Sequence, residues 1–184
     1  PIEDSWDTMT RLIDEGKIRW AGVSNFGVAL LDQCEARRHV TSLQPPFSMI
    51  RRDAMSDVIP WAESHGTGVI CYSPLQAGIL TDRFSKQRVE AMDPTDWRRK
   101  NAEFQPPKLE ANIALRDALR PIATRHGTTT AAVALAWVLE VPGVTGAIVG
   151  ARSAEQVDGW IGGADLELSS TDRAEIAAAI GLKP

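Results

Sequence analysis

The 184-residue chain is 43% hydrophobic and 24% charged, the balance of a globular fold long enough for one sizeable core. Its net charge of -4 and pI near 5.4 leave no basic footprint for nucleic acid or an anionic membrane. No apolar run approaches the ~20 residues of a membrane span, and no signal-peptide pattern stands at the start.

The first helix is signalled by Glu3, Asp4 and Ser5, by apolar residues at Trp6, Met9, Leu12 and Ile13, and by Gly16 as its stop. The chain enters this helix directly from Pro1, which implies processing or a missing upstream segment. A strand is predicted over 18–23, and Asn25 is placed to cap a helix over about 28–37. A short strand follows at Ser42-Leu43-Gln44, stopped by Pro45-Pro46. Asp53 is placed to cap a helix over about 54–64 that stops at Gly66. A third strand is predicted over 68–72, ended by Ser73-Pro74.

Residues 76–108 form a long stretch rich in charge and proline that contains Trp97-Arg98-Arg99. Its length predicts an irregular functional lid or disorder. Helices are predicted over about 109–126 and 130–139, parted at Gly127. A fourth strand is predicted over 146–149, followed by Gly150-Ala151-Arg152-Ser153. Ser153 is placed to cap a helix to about residue 161, and Ser170 starts a final helix carrying Ile176 and Ile180. Cys34 and Cys71 fall in helical and strand-like segments, which fits a reduced cytoplasmic setting better than a disulfide framework.

Four short apolar strands separated by helices predict a parallel sheet with right-handed crossovers. Two architectures fit: an open doubly wound sheet, or part of an eight-stranded (β/α) barrel, which normally takes ~250 residues. Half a barrel leaves two bare strand edges.

In parallel α/β folds ligands bind beyond the carboxyl ends of the strands. Each strand end here carries polar or aromatic groups: Ser24-Asn25, Gln44, Tyr72-Ser73 leading into Pro74-Leu75 and Gly78, and Gly150-Ala151-Arg152 with Gln156 beyond. Ser, Asn and Gln pair with an amide through donors and acceptors, and a tyrosine face stacks on a flat heterocycle. Gly78 permits close backbone approach to a phosphate. Gly150-Ala151, read as opening a helix, offers N–H groups to an anion, and Arg152 adds a phosphate-binding fork. Taken singly, Ser24-Asn25 fits a helix cap equally well, Gln44 local backbone pairing, Tyr72 a core position and Arg152 a solvated charge.

Other chemistry has little support. His39, His65 and His126 lack ligand-like spacing to cysteines or carboxylate pairs, so no metal site is expected. Lys17 precedes its strand, and Lys86, Lys100 and Lys108 lie in the long loop, so no Schiff-base lysine is placed. Neither a Ser-His-Asp arrangement nor a GxxxxGK phosphate loop is present.

Four segments together resemble the aldo-keto reductase family: Gly-Lys-Ile-Arg-Trp-Ala-Gly-Val-Ser-Asn-Phe (16–26), Leu-Gln-Pro-Pro-Phe-Ser (43–48), Cys-Tyr-Ser-Pro-Leu-Gln-Ala-Gly-Ile-Leu-Thr (71–81) and Ala-Ile-Val-Gly-Ala-Arg-Ser-Ala-Glu-Gln (147–156). They occur in family order across essentially the whole chain. The resemblance implies a (β/α)8 TIM barrel, with residues 1–184 supplying about strands five to eight, their helices and a clasp loop at about 76–108. It implies NADPH as cofactor and reduction of a small-molecule carbonyl, an aldehyde or ketone, in the cytoplasm. By resemblance Ser24, Asn25 and Gln44 hold the nicotinamide carboxamide and Tyr72 stacks on its ring. Ser73, Leu75 and Gly78 line the pyrophosphate, and Pro74 and Leu80 belong to the same cofactor site. Arg152 meets the adenosine 2′-phosphate and Gln156 the adenine, with Gly150 and Ala151 also in the cofactor site. Many relatives carry an adenine-binding asparagine near Trp160, a contact this chain lacks.

Hydride transfer to a carbonyl needs an acid to protonate the developing alkoxide. In the family a tyrosine does this, supported by lysine, aspartate and histidine, all from the first half of the barrel. The single tyrosine here, Tyr72, matches the stacking position. The resemblance therefore implies a cofactor-holding half without catalytic residues, inactive alone, whose bare edges pair with the missing N-terminal half or with a second copy. The alternative is a non-catalytic NADPH-binding regulatory module, as in potassium-channel β subunits.

Overall fold

The computed structural model describes residues 1–182. The chain divides into two compact units: one of Pro1–Phe47, Arg51–Ser73 and Leu139–Ile148, the other of Ser48–Ile50, Pro74–Val138 and the chain from Val149 onward.

The first unit contains α1 (Ile2–Asp14), β1 (Gly22–Ser24), α2 (Val28–Glu35), β2 (Ser42–Gln44), α3 (Val58–His65), β3 (Gly68–Tyr72) and β4 (Val144–Ile148). Its four strands are all parallel and lie in chain order, β1-β2-β3-β4. This is the winding of a (β/α) barrel, and it rules out the open sheet that starts from a central strand. One face buries Leu43, Val69 and Cys71. The other carries Ser24, Gln44, Ile70 and Ile148, the two isoleucines 38% and 45% exposed. Helices contribute Trp6, Leu31, Cys34, Ile59 and Ala62 to the buried side. Two indoles are fixed by hydrogen bonds, Trp6 Nε1 to the Arg38 carbonyl at 3.1 Å and Trp61 Nε1 to Asp32 at 2.7 Å.

The observed boundaries correct several expectations. The first strand starts at Gly22, four residues late, because Gly16, Lys17 and Ile18 turn their N–H groups back onto Ile13 and Leu12 carbonyls and finish α1. Trp20 is left 73% exposed. Gly22 then allows β1 to close on β2, since a Cβ there would stand 2.6 Å from the Ser42 carbonyl oxygen. Asp53 opens only a 3-10 turn; Asp57 caps α3 by accepting from the Val58 N–H. The fourth strand begins two residues early, at Val144. A bulge between Val69 and Ile70 shifts its register, and the Thr145 hydroxyl accepts the Val69 N–H at 3.1 Å.

The second unit contains α4 (Lys86–Glu90), α5 (Lys108–Ala118), α6 (Arg120–Arg125), α7 (Thr130–Glu140), α8 (Ala154–Asp158) and α9 (Ser170–Ile180). The predicted helix over 109–126 is two, because Pro121 in the first turn of α6 has no N–H to continue the ladder. One cluster joins Leu80, Leu119, Ile122, Val133, Ala134 and Ile176. Residues 76–108 are irregular only between short elements, and they carry a core of their own. They hold α4 and three 3-10 turns and bury Ile79, Phe84, Val89 and Phe104 with Leu109 as a second cluster. Arg116, 4% exposed, anchors this segment by donating Nη1 to the Thr81 and Phe84 carbonyls at 3.0 and 2.7 Å. Gly163 packs where a Cβ would meet the Ala132 carbonyl oxygen at 2.6 Å.

Candidate functional site

In the first unit, parallel register carries Ser24, Gln44 and Tyr72 to the carboxyl ends of three adjacent strands. The Ser24 hydroxyl donates to the Gln44 carbonyl at 3.0 Å, and the Asn25 N–H donates to the same oxygen at 3.2 Å. Asn25 takes φ +61°, a left-handed conformation that asparagine tolerates better than most residues. There its Oδ1 accepts the Tyr72 hydroxyl at 3.0 Å. The next turn is stitched by the Tyr72 N–H to the Pro45 carbonyl and the Phe47 N–H to the Tyr72 carbonyl.

This geometry overturns the capping reading of Asn25. The N-cap of α2 is Gly27, without a side-chain cap bond, and α2 ends at Glu35. Two strand ends carry strained polar residues, since Ser73 also has positive φ, +56°. Each such residue costs on the order of 1 kcal/mol and persists where its surroundings hold it, commonly at ligand sites. With the Asn25 oxygen engaged by Tyr72, its Nδ2 remains to donate. The exposed Gln44 carboxamide adds a donor and an acceptor, and the Ser24 oxygen a further acceptor. That donor set matches a primary carboxamide. The half-buried Tyr72 ring has its hydroxyl committed to Asn25.

The second unit carries the remaining candidates. Pro74, Leu75 and Leu80 are buried, and Leu80, fully buried in the core, gives its carbonyl to the Thr130 hydroxyl at 3.0 Å. With its N–H also donated to the Leu75 carbonyl at 3.3 Å, Leu80 has no exposed surface and no free backbone group to offer a ligand, which removes it from the predicted site. After Leu75, Gln76 and Ala77 are left-handed, at φ +46° and +50°, followed by Gly78 at +98°. A Cβ on Gly78 would meet nothing within 4 Å, so a ligand could approach its backbone from that side. Sequence reasoning missed Gln76, whose Oε1 accepts the hydroxyl of fully buried Ser48 at 3.1 Å. The Leu-Gln-Ala-Gly run is the signal that marks this strained turn.

Gly150 and Ala151 do not open a helix: α8 begins at Ala154, with Ser153 as its N-cap. Arg152 is exposed just ahead of the helix, and its N–H donates to Gln156 Oε1 at 2.8 Å. Gln156 thus spends its oxygen on the backbone and keeps its amide nitrogen. Arg152 forms no ion pair among the described residues. Trp160 packs against the core with its Nε1 buried and unpartnered, so the indole N–H is not available to a ligand.

Neither thiol belongs to this chemistry. Cys34 and Cys71 are buried and unpaired, and burial pushes the Cys71 thiol up to about 12. Among the described residues no group of three His, Cys, Asp or Glu side chains is arranged to hold a metal. No helix there is long and apolar enough to cross a membrane.

Comparison with known proteins gives a consistent set of relatives. Residues 1–180 match the model of the Aldo/keto reductase family. The chain is 30% identical over 177 residues to Aldo-keto reductase YhdN of Bacillus subtilis, covering 96% of this chain and 53% of that protein. It is 38% identical over 167 residues to an uncharacterized oxidoreductase, Rv2298, of Mycobacterium tuberculosis, covering 90% and 50%. Among solved structures, the glycerol dehydrogenase AKR11B4 from Gluconobacter oxydans superposes with a TM-score of 0.90 at 30% identity, over 98% of this chain and 54% of that one. A thermostable aldo-keto reductase, Tm1743, in complex with the inhibitor epalrestat, gives a TM-score of 0.71 at 22% identity over 100% and 55%, a likeness of fold alone. The chain spans about half the length of the curated relatives it matches.

Proposed function

The chain belongs to the aldo/keto reductase family, and from that premise we propose that it is the cofactor-holding part of an NADPH-dependent aldehyde and ketone reductase. The observation that carries this reading is the polar set on the ends of β1, β2 and β3, tied together by the Tyr72–Asn25 and Ser24–Gln44 hydrogen bonds.

In this reading Asn25 Nδ2, the Gln44 carboxamide and the Ser24 oxygen hold the nicotinamide carboxamide. Tyr72, its ring angle set by the bond to Asn25, stacks on the nicotinamide. Ser73, Pro74, Leu75 and Gly78 supply the backbone wall for the pyrophosphate. Arg152, a guanidinium without an ion pair among the described residues, binds the 2′-phosphate, and Gln156 with Gly150 and Ala151 completes the adenosine end. Bound NADPH supplies the hydride. The chain's own residues orient the cofactor, and its single tyrosine, Tyr72, has its hydroxyl turned to Asn25 rather than toward a substrate carbonyl.

The proton donor is therefore assigned to residues outside this chain. The outer edges of β1 and β4, unpaired in the four-stranded sheet, are assigned to pairing with the remaining part of the barrel or with a second copy. Two buried free thiols are compatible with a reducing cytoplasm.

The test is cofactor titration of the purified chain. NADPH is expected to bind more tightly than NADH, and Arg152→Ala to remove that preference by weakening NADPH about tenfold or more, the worth of one charged phosphate fork. Equal affinity of the unaltered chain for both cofactors, or no binding of either, would overturn the assignment.

A further inference from the structure

Arg116 has no role in the cofactor assignments above, yet its guanidinium is buried inside the second unit. A charge taken out of water persists only where hydrogen bonds meet its donors. Here Nη1 alone donates to three carbonyls, of Thr81 at 3.0 Å, Asp82 at 3.4 Å and Phe84 at 2.7 Å, while Nε meets Asp117 at 2.8 Å. The three carbonyls belong to the segment just beyond the Gln76–Gly78 turn. The same segment is tied to the start of α7, where the Leu80 carbonyl accepts the Thr130 hydroxyl at 3.0 Å and Asp82 accepts the Thr130 N–H at 3.1 Å.

Thr81 joins Arg116 to the turn. Its carbonyl receives the guanidinium, and its hydroxyl and N–H both donate to the Gly78 carbonyl, at 2.8 and 3.2 Å. At the other end the fully buried Ser48 hydroxyl donates to Gln76 Oε1 at 3.1 Å and accepts the Ile50 N–H at 3.2 Å. Between these two holds stand three left-handed residues, Gln76, Ala77 and Gly78. Two of them carry a Cβ, so the turn relaxes unless its ends are fixed. The N–H groups of Gly78, Ile79 and Leu80 close the turn onto the Leu75 and Gln76 carbonyls. Those of Gln76 and Ala77 meet no acceptor among the described residues. Successive N–H groups in a turn form a concavity for an anion.

Resting on the cofactor assignment above, we propose that Arg116 and Thr81 are positioning residues for the pyrophosphate. Buried Arg116 fixes the Thr81 carbonyl, and the Thr81 hydroxyl fixes the Gly78 carbonyl. The left-handed turn then holds its free N–H groups in place before the ligand arrives. Neither side chain touches the cofactor; both act by removing the need to order the turn on binding.

Two truncated ligands separate positioning from a general loss of fold: 2′-phospho-ADP-ribose keeps the pyrophosphate, and adenosine 2′-monophosphate lacks it. Thr81→Val keeps the side-chain shape and the carbonyl that Arg116 holds, and removes only the hydroxyl. With the full 184-residue chain, Thr81→Val is expected to weaken NADPH and 2′-phospho-ADP-ribose about fivefold or more and to leave the monophosphate unchanged. Arg116→Met is expected to show the same split with a larger loss. The double variant is expected to bind as Arg116→Met does, because both changes break one link. Parental affinity of Thr81→Val for both pyrophosphate ligands, an equal loss for all three ligands, or additive losses in the double variant would overturn the positioning role and leave the cofactor assignment intact. Thr81→Val decides alone if Arg116→Met does not fold. Failure of the unaltered chain to bind NADPH would overturn both.

Discussion

At the scale of single residues, Asn25 combines a backbone demand with a chemical one. Its φ of +61° suits glycine best, and its carboxamide both receives Tyr72 and presents an amide nitrogen. The two demands separate by mutation. Asn25→Gly is expected to fold at least as stably as the parent, and Asn25→Ala to lose about 1 kcal/mol, the usual penalty of a left-handed Cβ. Both are expected to lose about tenfold in NADPH affinity, because both delete the carboxamide. Urea unfolding and cofactor titration on the same preparations distinguish the effects. A glycine variant that binds NADPH as well as the parent would reduce Asn25 to a turn former. Ser24, Asn25, Gln44 and Tyr72 were legible from sequence as strand-end polar groups. The left-handed backbone was not: a Ser-Asn pair after a strand reads as a helix cap, and only the Tyr72 tether and the cap at Gly27 exclude it.

At the scale of elements, α9 depends on a buried charge. Ser169 and Asp172 form a capping box, and Asp172, fully buried, is also met by the Arg125 guanidinium and by His126 Nε2 at 2.8 Å. Burial opposes the charge, but the hydrogen bonds from Ser169, His126 and Arg125 outweigh it and hold the carboxyl well below the usual carboxylate range. A lowered folded-state value means this stability is complete above the ordinary aspartate range, ~pH 4, and is lost as pH falls below it. Asp172→Asn is expected to destabilise the chain by about 1–2 kcal/mol at neutral pH, the scale of a lost cap and buried hydrogen bond. The gap between the two melting temperatures should narrow as pH falls below ~4; a constant gap would assign Asp172 a purely steric role. Sequence periodicity found β3 and most of the helices, though not α4 or the break between α5 and α6, because apolar spacing is regular there. It misjudged residues 76–108, where Ile79, Phe84, Val89 and Phe104 are too widely and unevenly spaced to read as one face. They converge only in three dimensions, around Leu109.

At the scale of the whole molecule, the proposed division of labour is testable through catalysis, since the single tyrosine has its hydroxyl on Asn25. An NADPH-oxidation assay with aldehydes is expected to give background rates for the chain alone, even at saturating cofactor. Aldehyde-dependent turnover by the pure chain would place an unrecognised proton donor among the residues described. Four apolar segments alternating with helices were enough for a parallel sheet, but only the family resemblance chose barrel winding over an open sheet, and the observed order β1-β2-β3-β4 agrees with it. Which residues line the uncovered face was not legible, because Ile70 and Ile148 look like core residues until register turns them away from the helix-covered side. The placement of sulfur has a consequence of another kind. Both cysteines of the chain lie in the first unit, in α2 and β3, each sealed against that unit's interior. A thiol reagent therefore keeps time on the breathing of the sheet-bearing unit alone, and labelling rates would record its opening without contribution from the unit that carries Arg152 and Arg116.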